Sequence, residues 1–232
     1  MSTFLGVPVG AAYHLVFGLA TALSPLFGGL AAAAAIVLFT MAVRLILVPL
    51  SFRAMKGMET QAKMATQVRE LRQRHSGQPE ALQRAVAALY QAEGTSVFTG
   101  CLPMLVQWPI FSVMYLVFRS PVIGGIHNAL LGHELFGAPL GSHLLSGAGV
   151  FSLHGAVFAG LFLVLAGIAW VASRRTREAA PGLLTRLVPY VTVVFAAFLP
   201  LASGLYLATS TAWTLGEREV LRRLSQRRAV PA

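Results

Sequence analysis

The sequence of 232 residues has no aspartate, one cysteine and few charged side chains. Without aspartate, Ser-His-Asp triads, aspartic dyads and sites that hold magnesium through aspartate are excluded. Cys101 alone can form neither an internal disulfide nor a cysteine-rich metal cluster. Charged residues make up 11% of the chain, against roughly 25% in soluble domains, and 56% is hydrophobic, so a soluble fold is not expected. The charge that is present is unbalanced, because 18 lysines and arginines face 8 glutamates for a net charge of +10.

Five apolar runs, each with at most one charged residue, approach the length of about 20 residues that a helix needs to cross a bilayer. We therefore predict an all-α polytopic membrane protein with five transmembrane helices, at residues 29–50, 97–118, 153–172, 183–199 and 200–215. The last two runs are short and meet at Pro200, which cannot continue a helical hydrogen-bond ladder. A tight hairpin is favoured there over one long broken helix, because the two runs together exceed the length of a single span.

Residues 1–28 are apolar, contain glycine and proline, and lack the basic start of a signal peptide. Apolar side chains repeat at helical spacing between Pro8 and Pro25, over only about 15 residues. We therefore predict an interfacial helix on the outer leaflet rather than a sixth span. A cleaved or degenerate export signal is the alternative.

The basic residues predict the orientation of the spans, because cytoplasmic loops retain lysine and arginine. Sixteen of the eighteen fall on one side if the spans alternate: Arg53, Lys56, Lys63, Arg69, Arg72, Arg74, Arg84, Arg174, Arg175, Arg177, Arg186, Arg218, Arg222, Arg223, Arg227 and Arg228. The loop at residues 119–152 carries only Arg119 and is placed outside, together with the N-terminus. The cytoplasmic side then holds a helical hairpin at residues 51–96, a linker at residues 173–182 and a basic tail at residues 216–232. This topology predicts a multi-pass protein of the cell inner (plasma) membrane.

The hairpin at residues 51–96 is predicted from two charged segments in which apolar residues recur every three or four positions. A Ser-Gly-Gln-Pro break at residues 76–79 separates the two segments. Their apolar stripes can seal against each other in an antiparallel pair of helices. The pair is either a solvated connector or a cytoplasmic platform whose methionines repack against varied apolar partners.

Arg44 interrupts the first predicted span about 9 Å from Leu50, at 1.5 Å per residue. Its side chain either snorkels to the interface as an anchor or serves a function within the membrane. The other spans contain polar residues that could share its surroundings, and Thr40 lies one turn earlier; the set is Thr40, Gln107, Tyr206, Thr209, Ser210 and Thr211. No glutamate lies within a predicted span, the nearest being in loops or the tail. Arg44 therefore predicts a water-filled, positively charged cavity, and the anion that pairs with the arginine is expected to belong to a visiting molecule that binds in this cavity.

Four stretches of the chain carry a family resemblance. They are Thr40-Met-Ala-Val-Arg44-Leu-Ile-Leu-Val-Pro49-Leu50, Ala87-Ala-Leu-Tyr90-Gln-Ala-Glu93-Gly94, Gly100-Cys101-Leu-Pro103-Met-Leu-Val-Gln107-Trp-Pro109-Ile-Phe111, and Leu199-Pro200 followed by Leu205-Tyr206 and Ser210. Together they resemble the YidC/Oxa/Alb3 membrane protein insertases, and the third is the most specific because it resembles the family's Gly-Cys-x-Pro-x-x-x-Gln-x-Pro-[Ile/Leu]-Phe run. The chain departs from the family at Arg69, where proline is frequent, and at Leu207, where an aromatic commonly follows the tyrosine.

The resemblance implies a five-span core around a hydrophilic groove that opens to the cytoplasm and the lipid. It implies a substrate groove of Arg44, Thr40, Gln107, Tyr206, Ser210 and Thr211, and a structural motif of Pro49, Gly100, Cys101, Pro103 and Pro109. The implied activity is insertion and folding of newly made membrane proteins, with Arg44 attracting acidic segments of the substrate. No covalent step is involved, so neither an enzyme activity nor a cofactor or metal is expected.

Nascent membrane proteins are the partners that the resemblance implies. The ribosome, through the basic tail and the hairpin, and the Sec translocon are further candidates. The tail is equally suited to anionic lipids, because clustered cations attract acidic headgroups.

Two other classes of function make different predictions for the sequence. A small polytopic transporter or anion channel, with Arg44 as the anion site, predicts paired repeats in the two halves, which the sequence does not contain. An intramembrane protease is not favoured, because the sequence has neither a Gly-x-Ser-x-Gly elbow nor a His-x-x-x-His pair.

Overall fold

The structure, a computed structural model, describes residues 3–92, 102–144, 152–179 and 183–228. Within these ranges the chain forms seven α-helices: α1 (Thr3–Phe27), α2 (Ala31–Arg74), α3 (Pro79–Ala92), α4 (Leu102–Arg119), α5 (Leu153–Ala179), α6 (Leu183–Ala196) and α7 (Leu201–Arg228). The mostly helical class predicted from the sequence is confirmed. Two helical stretches of the described residues, Gly6–Arg53 and Leu153–Arg175, are long and apolar enough to cross a membrane, and shorter apolar helices lie at Trp108–Arg119 and Leu187–Ala196. The number of five spans stays a prediction.

Three helices extend past the ends that the apolar runs predicted. α2 continues beyond Leu50 to Arg74, α5 continues to Ala179, and α7 runs through most of the predicted tail to Arg228. Apolar runs mark where a helix can meet lipid, whereas the backbone ladder continues through arginine, glutamate and glutamine, which are good helix formers.

α1 is also longer than the sequence predicted, because Pro8 and Pro25 lie inside it and not at its ends. Pro8 falls in the second turn and Pro25 in the last turn, so each removes one hydrogen bond near an end of the helix and leaves its middle intact. Gly28, with a φ of +50°, follows α1 and begins a 3₁₀ turn at Gly28–Leu30 that leads into α2. The Tyr13 hydroxyl donates to the carbonyl of His127 at 3.4 Å, so α1 contacts the segment that follows α4.

The chain divides into two compact units, one of Met1–Leu45 with Phe111–Ala232 and one of Ile46–Ile110. The second unit includes the remainder of α2, a turn at residues 75–78 and α3. Gly77 supplies a φ of +92° in this turn, and Pro79 begins α3, a position where its fixed φ suits a helix start. The sealing of the two apolar stripes against each other stays a prediction.

Two short β-hairpins follow α4, which is a departure from the all-α class predicted from the sequence. β1 (Val122–Ile123) pairs antiparallel with β2 (Ile126–His127), and β3 (Glu134–Leu135) pairs antiparallel with β4 (Ala138–Pro139). A 3₁₀ turn at Ala129–Gly132 joins the two hairpins. Strands of two residues carry too little alternation to be recognised from the sequence.

The segment after α4 is held by Asn128, whose side chain is fully buried. Its Nδ2 donates to the carbonyls of Val117 at 2.5 Å and Ser120 at 3.0 Å, and its Oδ1 accepts from the amide of Leu130 at 3.2 Å. The side chain thereby satisfies carbonyls at the end of α4 that lack a partner within the helix.

α5, α6 and α7 pack together in the first unit. Leu165, Ala196 and Ala208, one from each helix, form a buried apolar cluster. Gly204 on α7 allows α5 to approach closely, since a Cβ at this position would lie 2.6 Å from Cδ2 of Leu161.

The start of α7 is bound to the segment that follows α4. The amides of Leu201 and Ala202 donate to the carbonyls of Ser142 and Leu140, each at 2.9 Å. These bonds satisfy amides that have no partner within the helix. The segment at residues 120–144 and the turn between α6 and α7 therefore lie at the same end of the first unit.

Candidate functional site

Arg44 on α2 contacts Ser210 on α7, and both residues belong to the first unit. Its Nε donates to the Ser210 hydroxyl oxygen at 3.0 Å, and its Nη2 donates to the same oxygen. Ser210 is buried, whereas Arg44 is half-buried. The pair joins two helices whose contacting residues are 166 positions apart in the sequence.

Two further candidate hydroxyls are bonded to their own helices. Thr40 is buried and its Oγ1 donates to the carbonyl of Ile36 at 2.6 Å, while Thr211 Oγ1 donates to the carbonyl of Leu207 at 2.8 Å. Such bonds to the preceding turn are usual for threonine within a helix. The structure does not bring these two hydroxyls to Arg44 as direct partners in the contacts it describes.

Tyr206 lies one turn before Ser210 on α7 and is almost completely buried. Its ring packs against Phe111 of α4, with 6.4 Å between the ring centroids. Tyr206 also interacts electrostatically with the Arg44 guanidinium. The structure therefore brings Arg44, Tyr206 and Ser210 together from the set proposed on sequence.

The remaining residues of the predicted set are described in part or not at all. Gln107 and Pro103 lie in α4, but their side chains are outside the described residues, as are Gly100 and Cys101 entirely. Pro49 and Pro109 lie inside α2 and α4, respectively.

A stripe of polar side chains follows one face of α7, and most of it was missed by the sequence analysis. We call it the α7 polar stripe; its residues, spaced alternately three and four apart, are Ser203, Tyr206, Ser210, Trp213 and Glu217. This spacing places all five on one face of a helix. Ser203 Oγ and Trp213 Nε1 are buried and have no hydrogen-bond partner among the described residues. Counting polar residues at this period, and not only apolar ones, would have revealed the stripe.

Glu217 is an acidic partner of Arg44 that the sequence analysis assigned to the tail. Its carboxylate interacts electrostatically with the Arg44 guanidinium. It lies seven residues after Ser210 on the same face of α7, about 10 Å along the axis at 1.5 Å per residue. The expectation that the anion for Arg44 comes only from a visiting molecule is therefore incomplete.

A second cluster of charge lies where the end of α5 meets α7. Glu219 accepts from Arg223 Nε at 2.7 Å and forms ion pairs with Arg222 at 3.2 Å and Arg175 at 3.3 Å. The hydrogen bond from Arg223, together with the charges of the other two arginines, holds the pKa of Glu219 below its ordinary value. The Arg174 guanidinium stacks over the Trp170 ring, 3.8 Å from its centroid.

Charge is thus distributed unequally between the two ends of the first unit. α5 starts beside the segment at residues 120–144, which contains no lysine or arginine, and ends at the arginine cluster around Glu219. Among the described residues, no group of three histidine, cysteine or glutamate side chains is arranged to hold a metal ion. The described residues around Arg44 can supply hydrogen bonds and one half-buried positive charge.

Comparisons with known proteins agree on one family. A family model described as 60Kd inner membrane protein matches residues 22–228. The membrane protein insertase YidC of Helicobacter pylori is 38% identical over 88 residues, which are 38% of this chain and 16% of the relative. The YidC of Chlorobium phaeovibrioides is 26% identical over 175 residues, which are 74% of this chain and 30% of the relative.

The fold is similar to that of an active YidC insertase crystal structure in which the first transmembrane domain is resolved. The TM-score is 0.57 at 23% sequence identity, covering 89% of this chain and 45% of that chain. The chain therefore spans less than half the length of the proteins it matches here.

Proposed function

The chain belongs to the YidC/Oxa/Alb3 family, as its resemblance to the family in sequence predicted, and on this premise we propose that it is a membrane protein insertase. It facilitates the insertion and folding of newly made membrane proteins through a hydrophilic groove open to the cytoplasm. The process makes and breaks no covalent bond, because transfer of the substrate's apolar span into lipid supplies the driving force.

The contact of Arg44 with the α7 polar stripe is the observation that carries this proposal. A substrate's polar segment cannot cross hydrocarbon unaided, since each unsatisfied backbone group costs several kcal/mol. The half-buried Arg44 guanidinium, which donates to the Ser210 hydroxyl, supports a polar surface that offers hydrogen bonds to water or to such a segment. A groove of this kind shortens the dry path across the bilayer.

Arg44 attracts acidic segments of the substrate by exchanging partners. Its guanidinium already interacts with Glu217, so a substrate carboxylate competes with a resident carboxylate for the same charge. Hydroxyl and phenol groups of Ser210 and Tyr206 keep the guanidinium solvated while this exchange occurs. Thr40, Thr211 and Gln107 add hydrogen-bonding capacity along the proposed groove.

The proposed topology has five spans in the inner (plasma) membrane, with the N-terminus outside and the C-terminus in the cytoplasm. It is supported by the two ends of the first unit: arginines cluster at one, and the segment at residues 120–144 lies at the other. The contact of Tyr13 with His127 supports an α1 that lies beside this outer segment at the membrane surface.

Nascent membrane proteins are the proposed substrates. The ribosome is a proposed partner at the basic tail and the hairpin, and the Sec translocon is a further proposed partner. Anionic lipids are proposed to contact the arginines near Trp170, because stacked arginine and tryptophan suit the headgroup region.

A depletion assay tests the proposal. A bacterial strain is depleted of its own insertase, and this chain is asked to restore insertion of a small reporter with an acidic outer tail. We expect rescue by the wild type and by the control Arg53→Ala, which removes an exposed arginine from the same helix. We expect strong loss with Arg44→Glu, because the new charge repels the acidic tail.

Each outcome bears on a separate part of the proposal. Absence of rescue by an expressed wild-type chain contradicts the insertase function. Full rescue by both Arg44→Ala and Arg44→Glu keeps insertion but contradicts charge attraction. An anion channel, by contrast, would conduct anions in an Arg44-dependent manner and leave the reporter uninserted.

A further inference from the structure

The turn between β3 and β4 presents an aromatic side chain at its tip. Phe136 and Gly137 form this two-residue turn, which we call the hairpin tip, and the Phe136 side chain is 65% exposed. An exposed phenylalanine in water is unfavourable, since its apolar surface stays hydrated.

The backbone conformation of Phe136 is unfavourable for a phenylalanine, so its exposed side chain needs an explanation other than local folding. Phe136 has a φ of +49°, and it is the one non-glycine residue with positive φ among the described residues. The turn between β1 and β2 has the same form, but there Gly124 takes the equivalent position with a φ of +59°. Asparagine, aspartate or glycine would fit this left-handed position with less strain than phenylalanine. Local folding therefore does not explain the aromatic residue.

The surroundings of the hairpin tip indicate what it contacts. A Cβ on Gly137 would lie 3.2 Å from Cδ2 of Leu153, the first residue of α5, so the tip abuts the start of a helix that is long and apolar enough to cross a membrane. Leu153 is itself 67% exposed, and β3 packs against the 3₁₀ turn that leads into α2. The exposed apolar surface of the helices thus continues onto the tip. The segment at residues 120–144 contains no lysine or arginine, so attraction to acidic headgroups is not its means of contact.

We propose that the hairpin tip is a membrane anchor, with Phe136 inserted between the headgroups and acyl chains of the leaflet beside the start of α5. Insertion hides the phenyl ring from water and fixes the β3–β4 hairpin against the bilayer. The outer leaflet is assigned from the topology proposed above, and the anchor rests on that assignment only for naming the leaflet.

Tryptophan fluorescence in vesicles tests the anchor. Phe136→Trp is compared with Glu134→Trp, a matched control in the same hairpin whose native carboxylate must stay hydrated. Each full-length variant is reconstituted in phosphatidylcholine vesicles with bromine at defined acyl positions, and the wild-type spectrum is subtracted as a common background. We expect the added fluorescence at position 136 to be lost to bromines roughly 5–10 Å below the headgroups, and that at position 134 to be quenched by aqueous acrylamide.

Two results would overturn the anchor. Acrylamide quenching at position 136 as strong as at position 134 would place the tip in water. Protection of position 136 from both bromolipid and acrylamide would assign the surface to protein, such as a second copy of the chain. The measurement does not use the insertion assay, so a chain that fails to rescue insertion but shows bromolipid quenching contradicts the proposed function and keeps the anchor.

Discussion

The hydrogen bonds between Arg44 and Ser210 predict an energetic coupling between α2 and α7. The perturbation is a pair of substitutions, Ser210→Ala, which removes the acceptor, and Arg44→Met, which keeps the length of the side chain without its charge. Each single variant also disturbs other contacts, including the interaction of Arg44 with Glu217. The double-mutant cycle removes these separate effects and isolates the pair.

The magnitude follows from the geometry of the contact. Two N–H groups of one guanidinium donate to a single buried hydroxyl oxygen, the better defined at 3.0 Å. Hydrogen bonds to charged groups contribute about 1.5–3 kcal/mol in soluble proteins, whereas cycles within a membrane protein average about 0.6 and reach about 1.7 kcal/mol. Because Ser210 is buried and the donor is charged, we expect a coupling of about 1–2 kcal/mol.

The assay is reversible unfolding by dodecyl sulfate in mixed micelles, with the free energy of unfolding measured for all four members of the cycle. Thr211→Val in place of Ser210→Ala provides the control, since the Thr211 hydroxyl donates to its own helix. We expect the control cycle to be additive within about 0.5 kcal/mol. Additivity in the Ser210 cycle as well would refute the view that this contact links the two helices.

Three further predictions concern stability. Asn128→Ala should lower the free energy of unfolding by about 2–4 kcal/mol, because it removes three hydrogen bonds and leaves two buried partners, at Val117 and Leu130, unsatisfied. A loss within the error of the same micelle titration would contradict this. Gly204→Val should lower the free energy of unfolding by about 1–3 kcal/mol more than Gly216→Val, because a side chain at position 216 of the same helix meets open space. Adding Leu161→Ala to Gly204→Val should recover part of this difference. Equal losses at positions 204 and 216 would show that α5 and α7 do not approach closely at Gly204. Because the pKa of Glu219 is lowered in the folded state, its ionised carboxylate stabilises the fold at pH values above its ordinary pKa near 4.5. This stabilisation is lost as pH falls through the lower folded pKa. The melting temperatures of wild type and Glu219→Gln should therefore differ from pH 7 to 5 and converge in more acidic buffer.

The sequence predicts those features of the fold that depend on the backbone conformation of a single proline or glycine. Pro200 stands between the end of α6 and the start of α7, and Gly77 stands in the turn before α3, because proline and glycine act on their own neighbourhood. Asn128 could not be recognised, since one asparagine in a glycine-rich segment has no periodic signal before its distant carbonyl partners are known. The two hairpins were missed for the same reason.

The candidate site was predictable as a set of residues but not as contacts. Arg44 and Ser210 stand out as polar residues in apolar runs, yet no sequence pattern pairs positions that are 166 residues apart. Glu217 was missed because hydropathy ends the last apolar run at Leu215, whereas the helix continues to Arg228 and keeps the face that contains Ser210.

Glu217 changes the interpretation of Arg44, because it supplies a negative charge to the arginine when no substrate is bound. The free energy of inserting an isolated arginine at the centre of a span is unfavourable by about 2.5–3.5 kcal/mol on insertion scales. If only a substrate supplied the anion for Arg44, the protein would be destabilised in this way whenever no substrate was bound. The hydrogen bonds to Ser210 and the electrostatic interaction with Glu217 reduce the cost in the resting state. Under the proposed mechanism, an acidic substrate would gain only the difference between its own interaction with Arg44 and that of Glu217. Such weak net attraction would suit the proposed insertase, because a segment that bound Arg44 tightly could not leave the proposed groove.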